Sequence, residues 1–137
     1  MKKQCEQEIN ELHQFFEDWF TGKLSTDEEF SRLEKALAED FFIITPNARQ
    51  TLRESLLRNI KNTQGTLKAP DHTFDITIKN IECRYQQGDL CLFTYEEWQE
   101  QDGQANGRVS SVLFHKKKDT PNGVEWMHVH EVAIPSD

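Results

Sequence analysis

The sequence has few cysteines and no cysteine motif. Only Cys5, Cys83 and Cys91 occur among the 137 residues, and no two of them have the C-x-x-C spacing. An odd number of cysteines without this spacing supports neither a framework of structural disulfides nor a zinc site built on cysteine pairs. Cys83 and Cys91 lie in segments that resemble strands, where a thiol commonly serves as small apolar filling. We therefore expect a cytoplasmic protein.

Long apolar runs and clusters of basic residues are also scarce. The N-terminal segment MKKQCEQEIN has lysines but no apolar stretch after them, and no segment approaches the length of a membrane span. The one basic run, at 116–118, contains three lysines in a chain of net charge −8. Three lysines are too few to follow a phosphate backbone. We expect neither a membrane nor a nucleic acid as a partner.

Aromatic residues, by contrast, are plentiful for the length of the chain. The 137 residues include nine Phe and three Trp. So many large aromatic side chains in a small protein indicate a substantial core, or a core with an apolar cavity. The length and the lack of a linker or repeat predict a single domain over residues 1–137.

The first part of the chain has the apolar periodicity of helices. Apolar residues at 9, 12, 16, 19 and 20 recur at helical spacing, with acidic residues on the other side. The segment STDEEF offers a capping box at Ser25 or at Thr26, and Leu37 is expected on the apolar face of the helix that follows. The segment FFIITP predicts a short buried strand, and a third helix is predicted at roughly 49–62.

From Phe74 onward the apolar period changes to two. Four strands are predicted, TFDITIKNIECRYQQ, DLCLFTYEEWQEQ, GRVSSVLFHKK and VEWMHVHEVAI, separated by the turn signals QGD, DGQANG and DTPNG. Helices followed by an antiparallel meander predict an α+β fold. Because the helices cover only one face of the sheet, the other face needs a second copy of the chain or must be polar.

The last strand concentrates Trp126, His128, His130 and Glu131 within six residues. Strict alternation places Trp126, His128 and His130 on one face and Glu131 on the other. With His115 on the adjacent strand, the two histidines form a conceivable metal site. Histidines that form hydrogen bonds in an interface are the simpler interpretation, so we expect no metal and no other cofactor.

The order of these elements resembles the nuclear transport factor 2-like superfamily. An aromatic-rich first helix, the segment AEDFFIITP and the terminal W-x-H-x-H carry the resemblance. Within the superfamily the chain is similar to the SnoaL-like and unknown-function (4440) families, which are related to the association domain of calcium/calmodulin-dependent kinase. The resemblance implies a cone in which three helices pack on the concave face of a curved antiparallel sheet. It also implies a pocket at the wide end and homodimers through the convex face, but no single activity.

The hairpin turns predict which residues of neighbouring strands lie opposite each other. We place the centre of the turn DGQANG near residue 103 and the centre of the last turn near residue 120 or 121. The resulting pairs are Glu96 with Ser110, Trp98 with Arg108, Tyr95 with Ser111, Glu131 with Ser110 and His130 with Ser111.

The resemblance to the kinase association domain places Glu96 in the pocket, which assigns the two faces of the sheet. The expected ligand-binding residues are Trp19, Phe42, Thr94, Glu96, Trp98, Arg108, Ser110, Val129 and Glu131. The expected dimer-face residues are Phe93, Tyr95, Leu113, Trp126, His128 and His130.

Glu96, Arg108 and Glu131 are the candidate catalytic residues. An arginine between two acids moves their pKa values apart, so that one carboxylate serves as a base and the other as an acid. The trio resembles, in residue types only, the acid–arginine–acid set of the epoxide hydrolases with this fold. A structural ion-pair network is the alternative interpretation. Tyr95 falls on the opposite face, so the tyrosine and aspartates of ketosteroid isomerases have no counterpart.

Three functions remain open at this stage. The first is a homodimer that binds or converts a small, partly apolar molecule, by acid–base chemistry of hydrolase, isomerase or dehydratase type and without a redox cofactor. The second is a non-catalytic association module. The third is a metal-dependent protein that uses His115, His128 and His130. The first is favoured because charged groups in a cavity are costly unless they bind each other or a ligand.

Overall fold

Three helices and a six-stranded sheet make up the computed structural model, which describes residues 1–136. The elements in chain order are α1 (Lys2–Phe20), α2 (Asp27–Ala36), β1 (Leu37–Ile44), β2 (Gln50–Leu52), α3 (Arg53–Lys61), β3 (Phe74–Gln87), β4 (Leu90–Gln101), β5 (Gln104–Lys116) and β6 (Val124–Ala133). The predicted α+β class, with helices on one face of a curved sheet, is confirmed.

The sheet has the strand order β2-β1-β6-β5-β4-β3. All neighbouring strands are antiparallel except β1 and β6, which run parallel, so the sheet is mixed rather than purely antiparallel. The prediction for Leu37 is wrong, because this residue has extended backbone angles and pairs with Trp126 as the first residue of β1. Pairing with β6 therefore ends α2 at Ala36.

Local signals explain where the helices begin and end. Thr26 caps α2 by accepting a hydrogen bond from the backbone N–H of Glu29, whose side chain accepts one from the Thr26 backbone N–H, so this is the capping box that forms. The third helix is shorter than predicted, since residues 50–52 pair with β1 as the short strand β2. The Ile9, Leu12 and Trp19 side chains of α1 are buried in the core, where Trp19 contacts Phe30 of α2.

The β4–β5 hairpin turns at two residues, Asp102 and Gly103, both with positive φ. Gln101 pairs with Gln104, so the turn centre lies half a residue before the predicted one and every predicted β4–β5 pair is wrong by one residue. A shift of one residue exchanges the two faces of a strand. The observed pairs are Tyr95 with Ser110, Thr94 with Ser111, Glu96 with Val109, Glu97 with Arg108 and Trp98 with Gly107.

The predicted β5–β6 pairs Ser110–Glu131 and Ser111–His130 do form, but a bulge interrupts this ladder. Leu113 pairs with His128, whereas its neighbour Phe114 pairs with Trp126, so one extra residue of β6 lies between the two pairs. The bulge places Trp126 on the helix-covered, concave face.

A buried carboxylate links the helices to the last strand. Glu8 of α1 is fully buried, and its oxygens accept hydrogen bonds from Arg32 of α2 at 2.7 Å and from the indole N–H of Trp126 at 2.8 Å. A buried charge is tolerated when it is paired and hydrogen-bonded in this way. The side chain of Trp126 is therefore held inside the domain, against α1.

Candidate functional site

A cavity of about 370 Å³ lies between the helices and the concave face of the sheet. Its wall is mostly apolar, since twelve of its nineteen lining residues are Leu, Ile, Val, Phe or Trp. The apolar residues are Leu12, Phe16, Phe20, Leu33, Leu37, Phe41, Ile43, Leu56, Ile60, Ile76, Trp126 and Val129. The polar residues are His13, Thr45, Tyr95, Glu97, Gln99, Arg108 and Glu131.

A buried ion pair joins α1 to β4 in this cavity. The Nε2 atom of His13 lies 3.2 Å from Oε1 of Glu97, and the two side chains are 5% and 7% exposed. The Nδ1 atom of His13 lies 2.7 Å from the carbonyl oxygen of Ile9, and Gln99 donates a 2.7 Å hydrogen bond to the other carboxylate oxygen of Glu97. Because both ring nitrogens face an acceptor, a protonated imidazole can donate to both.

The surroundings move the pKa values of this pair apart. Burial alone would raise the pKa of Glu97, but the hydrogen bond and the charge of His13, assisted by Gln99 and Arg108, lower it to about 2. Burial opposes protonation of His13, yet the hydrogen bond and the charge of Glu97 raise its pKa above the ordinary 6.5. Each partner therefore favours the ionised form of the other.

The pKa of a second carboxylate, Glu131 of β6, is shifted in the direction opposite to that of Glu97. Burial raises the pKa of Glu131, and the nearby Glu97 carboxylate adds to this rise, while the guanidinium of Arg108 opposes it. Arg108 is 3.3 Å from both oxygens of Glu131 and keeps about a quarter of its side chain exposed. A carboxyl group with a raised pKa in a partly apolar site can act as a proton donor or acceptor.

Tyr95 lines the polar end of the cavity, and Ser110 is buried beside it. Burial, with the carboxylates of Glu97 and Glu131, holds the pKa of Tyr95 well above 10, so the hydroxyl keeps its proton. Ser110 pairs with Tyr95 on one side and with Glu131 on the other. Its hydroxyl is fully buried, and no hydrogen-bond partner for it occurs among residues 1–136.

Four of the predicted ligand-binding residues lie on the concave face. Arg108, Val129 and Glu131 line the cavity, and Ser110 is buried between two lining residues. Trp19 is buried in the core, where its indole N–H donates to the carbonyl of Ile60.

The other predicted ligand-binding residues lie on the convex face, because of the shifted register of β4 and the pairing of β1 with β6. Glu96 accepts hydrogen bonds from Trp98 and Asn80 there and is not a lining residue of the cavity. Thr94 contacts Arg84, and Phe42 stacks on His128. The structure therefore does not bring Glu96 together with Arg108 and Glu131, and Glu97 occupies that place.

The predicted dimer-face residues also divide between the two faces. Leu113, His128 and His130 are on the convex face, as predicted. The prediction is wrong for Phe93, Tyr95 and Trp126, which are 0%, 3% and 2% exposed on the concave face. The register shift moved the first two, and the bulge in β6 moved Trp126.

His13, Glu97 and Gln99 line the cavity but were not predicted from the sequence. His13 follows the helical periodicity, since it lies four residues after Ile9 and next to Leu12 on the buried side of α1. The Asp102-Gly103 dipeptide, a strong signal for a two-residue hairpin turn, would have given the correct register and with it Glu97.

The structure does not bring together the three histidines of the alternative metal interpretation. His115 lies 2.9 Å from a carboxylate oxygen of Glu125, and His128 is 3.0 Å from the carbonyl oxygen of Phe42. Within residues 1–136, no three His, Cys, Asp or Glu side chains form a group that could hold a metal ion.

In the same part of the chain, no helix combines the length and the apolar character that crossing a membrane requires.

Comparison with known proteins gives the family. Residues 5–135 match the family model described as "Sucrose-6-phosphate phosphohydrolase C-terminal". The chain belongs to this family. No curated protein sequence matches this family member.

Several solved structures are similar to this member of the family. A crystal structure of an NTF2-like protein of unknown function from Pseudomonas aeruginosa has a TM-score of 0.84 and 23% identity, covering 96% of this chain and 99% of that one. The hub of calcium/calmodulin-dependent kinase II from S. rosetta has a TM-score of 0.68 and 12% identity, covering 96% and 95%. The β subunit of benzoate 1,2-dioxygenase from Burkholderia mallei has a TM-score of 0.69 and 11% identity, covering 95% and 88%. These likenesses confirm the predicted nuclear transport factor 2-like fold.

Proposed function

We propose that this domain binds a small, mainly apolar molecule that carries one carbonyl or carboxylate group. The observation that carries the proposal is the cavity of about 370 Å³, whose apolar wall ends in one polar cluster. Ligand pockets in proteins commonly have this size and composition, with few polar groups that orient the ligand. In the proposal, the apolar wall encloses the body of the ligand and Arg108 contacts its polar group.

Acid–base chemistry is the enzymatic form of this proposal. Glu131, with its raised pKa, would donate or accept the proton, and the protonated hydroxyl of Tyr95 would donate a hydrogen bond to a developing oxyanion. The ionised pair of His13 and Glu97 would hold the local charge constant while Glu131 changes protonation. Such chemistry is of hydrolase, isomerase or dehydratase type and needs no redox cofactor.

The name of the family refers to a phosphohydrolase that acts on a sugar phosphate. A sugar phosphate carries many hydroxyl groups and a doubly charged phosphate, which need several polar partners. The cavity wall is mainly apolar, and Arg108 is the only cationic side chain besides His13 among its described lining residues, so few partners are present for several hydroxyl groups and a doubly charged phosphate. These features favour an apolar ligand over a sugar phosphate for this cavity.

Native mass spectrometry of the purified protein tests whether a ligand is retained. A set of defined probes then tests the class: 3-phenylpropanoate, the matched alcohol 3-phenylpropan-1-ol, and sucrose 6-phosphate. We expect the carboxylate to raise the midpoint of thermal unfolding most, because a ligand that binds only the folded state stabilises it. Stabilisation by sucrose 6-phosphate alone would contradict the proposal.

Arg108→Met separates a binding role from a structural one. Methionine has a similar length but cannot donate hydrogen bonds, so affinity for 3-phenylpropanoate should fall at least tenfold, or about 1.4 kcal/mol. The matched control is Arg84→Met, because Arg84 lies on the convex face and contacts Glu82 and Thr94. A purely structural Arg108–Glu131 pair predicts lower stability with unchanged affinity.

A specific feature of the convex face favours self-association as a second function. Leu92, Leu113, His128 and Phe42 form one row across β4, β5, β6 and β1, and Val109 pairs with Val132 two rows away, beyond the row of Ser111 and His130. We call the first four residues and the two valines the convex patch. Val109 and Val132 are 40% and 56% exposed, and none of the helices covers this face. Apolar sheet faces of this kind are commonly buried by a symmetric partner.

Sedimentation at micromolar concentration tests the assembly. Two chains of 16.1 kDa should give a particle of about 32 kDa. Leu113→Lys should shift the mass toward that of one chain, because a lysine in the centre of an apolar interface is costly. Gln7→Lys, on the exposed side of α1, serves as the matched control. A monomeric wild-type protein at this concentration would refute self-association.

A further inference from the structure

The three cysteines lie close together, although Cys5 is far from the other two in sequence. The Sγ atoms of Cys83 on β3 and Cys91 on β4 are 3.6 Å apart. Cys5 of α1 belongs to the same cluster, since burial and then the neighbouring Cys91 thiol raise its pKa to about 12. The cluster is remote from the cavity, because Cys91 and Glu97 are six residues apart on β4, or about 20 Å in an extended strand.

Strand pairing explains why Cys83 and Cys91 meet. Cys83 pairs with Phe93, so Cys91 is its diagonal neighbour two residues along the same face of β4. The ladder is irregular beside Cys83, where Arg84 is an extra residue between two pairs. A disulfide has an S–S distance of about 2.05 Å, so the two sulfurs need to approach by only about 1.5 Å.

The thiols differ in their access to solvent. Cys5 and Cys91 are fully buried, and burial together with Cys83 raises the pKa of Cys91 to about 11. Cys83 is only partly buried and opens into a surface depression that it shares with Lys2, Arg84, Tyr85, Gln86 and Gly88. A small oxidant therefore reaches Cys83 first, whereas Cys91 is buried beneath it and remains a protonated thiol.

We propose that Cys83 and Cys91 are a peroxide-sensitive thiol pair, in which Cys83 is oxidised first and Cys91 resolves it to a disulfide. In the first step the Cys83 sulfur attacks one oxygen of a hydroperoxide such as hydrogen peroxide. An S–O bond forms and the O–O bond breaks, which gives Cys83 sulfenic acid, and the departing oxygen takes the thiol proton and leaves as water when the oxidant is hydrogen peroxide. In the second step the Cys91 sulfur attacks the oxidised sulfur, the S–O bond breaks, and a second water leaves. The two thiols lose two electrons and the peroxide gains them.

Thiol counting on the intact protein tests the pair. The native protein is treated with hydrogen peroxide, quenched, denatured and titrated. We expect the three free thiols to fall to one per chain, with a mass loss of about 2 Da that a reductant reverses. Peptide mapping should join Cys83 to Cys91. Cys5→Ser is the matched control, and it should still form the disulfide.

The two single variants give different products if the order of steps is correct. Cys91→Ser should stop at Cys83 sulfenic acid, about 16 Da heavier than the untreated variant and trapped by dimedone. Cys83→Ser should react much more slowly, since the remaining thiols are buried. Three free thiols after treatment of the wild-type protein would overturn the proposal. A disulfide between Cys5 and Cys91, or one between two chains, would overturn it as well.

Discussion

Replacing Glu97 with glutamine tests the buried ion pair that organises the cavity. Glutamine keeps the size of the side chain but removes the charge that faces His13. The pairing lowers the pKa of Glu97 from the ordinary 4.5 to about 2. Since one pKa unit corresponds to about 1.36 kcal/mol, the ionised carboxylate contributes about 3 kcal/mol to the free energy of unfolding at neutral pH. We expect Glu97→Gln to cost about that much, in the range for a buried pair that loses one partner.

The pH dependence of this loss gives a sharper test than its size. A carboxylate with a lowered folded-state pKa stabilises the protein above its unfolded pKa of 4.5, and this contribution is lost as the pH falls toward 2. Between pH 5 and pH 3 the difference between wild type and variant should therefore shrink by about 2 kcal/mol. Urea unfolding followed by tryptophan fluorescence measures it, since Trp19 and Trp126 are buried.

Glu96→Gln is the matched control, one residue away on the same strand. Its side chain lies on the convex face and contacts Asn80 and Trp98, so the substitution should leave the free energy of unfolding nearly unchanged. A larger loss for Glu96→Gln than for Glu97→Gln would refute both the register and the role of the pair. A loss for Glu97→Gln that is constant from pH 3 to pH 7 would refute the electrostatic explanation.

Three further outcomes are expected. The free energy of unfolding should fall as the pH rises above about 6.5, because the raised pKa of His13 stabilises the fold only while the ring is protonated. His13→Gln should flatten this slope, whereas the loss from ionising the buried Glu131 begins already above its ordinary pKa of 4.5. Trp126→Phe should cost about 1–3 kcal/mol in urea unfolding, because Glu8 loses the indole donor in a buried site, and full stability would contradict that bond. A chelator should leave the midpoint of thermal unfolding unchanged, and a marked drop would indicate a bound metal.

The fold could be predicted from the sequence because its signals are local. The helical period around Ile9 and Leu12, the capping box at Thr26 and the period of two after Phe74 each lie within one element. The order of the elements then implied helices on one face of a sheet. The parallel pairing of β1 with β6 was not predicted, since it joins residues 86 to 89 positions apart.

The site was predicted only in part, and the reason is register. The alternation of side chains between the two faces of a strand is a local property. Which of the two alternating sets of side chains faces the cavity depends on one turn and one bulge. The resemblance to the kinase association domain put Glu96 in the cavity, and centring the β4–β5 turn half a residue too late grouped Glu96, instead of Glu97, with Arg108 and Glu131. The bulge in β6 moved Trp126 to the cavity, while Arg108 and Glu131 were placed correctly because their ladder has the predicted register.

By itself, the sequence determined the element types, their order and the α+β class, because these depend on interactions between residues near each other in the chain. The tertiary structure alone decided which polar groups meet. His13 and Glu97 are 84 residues apart and come within 3.2 Å only when α1 packs on β4. Their pKa values follow from that burial and contact, which no pattern along the chain encodes. The same applies to Cys83 and Cys91, whose contact depends on the register of one hairpin.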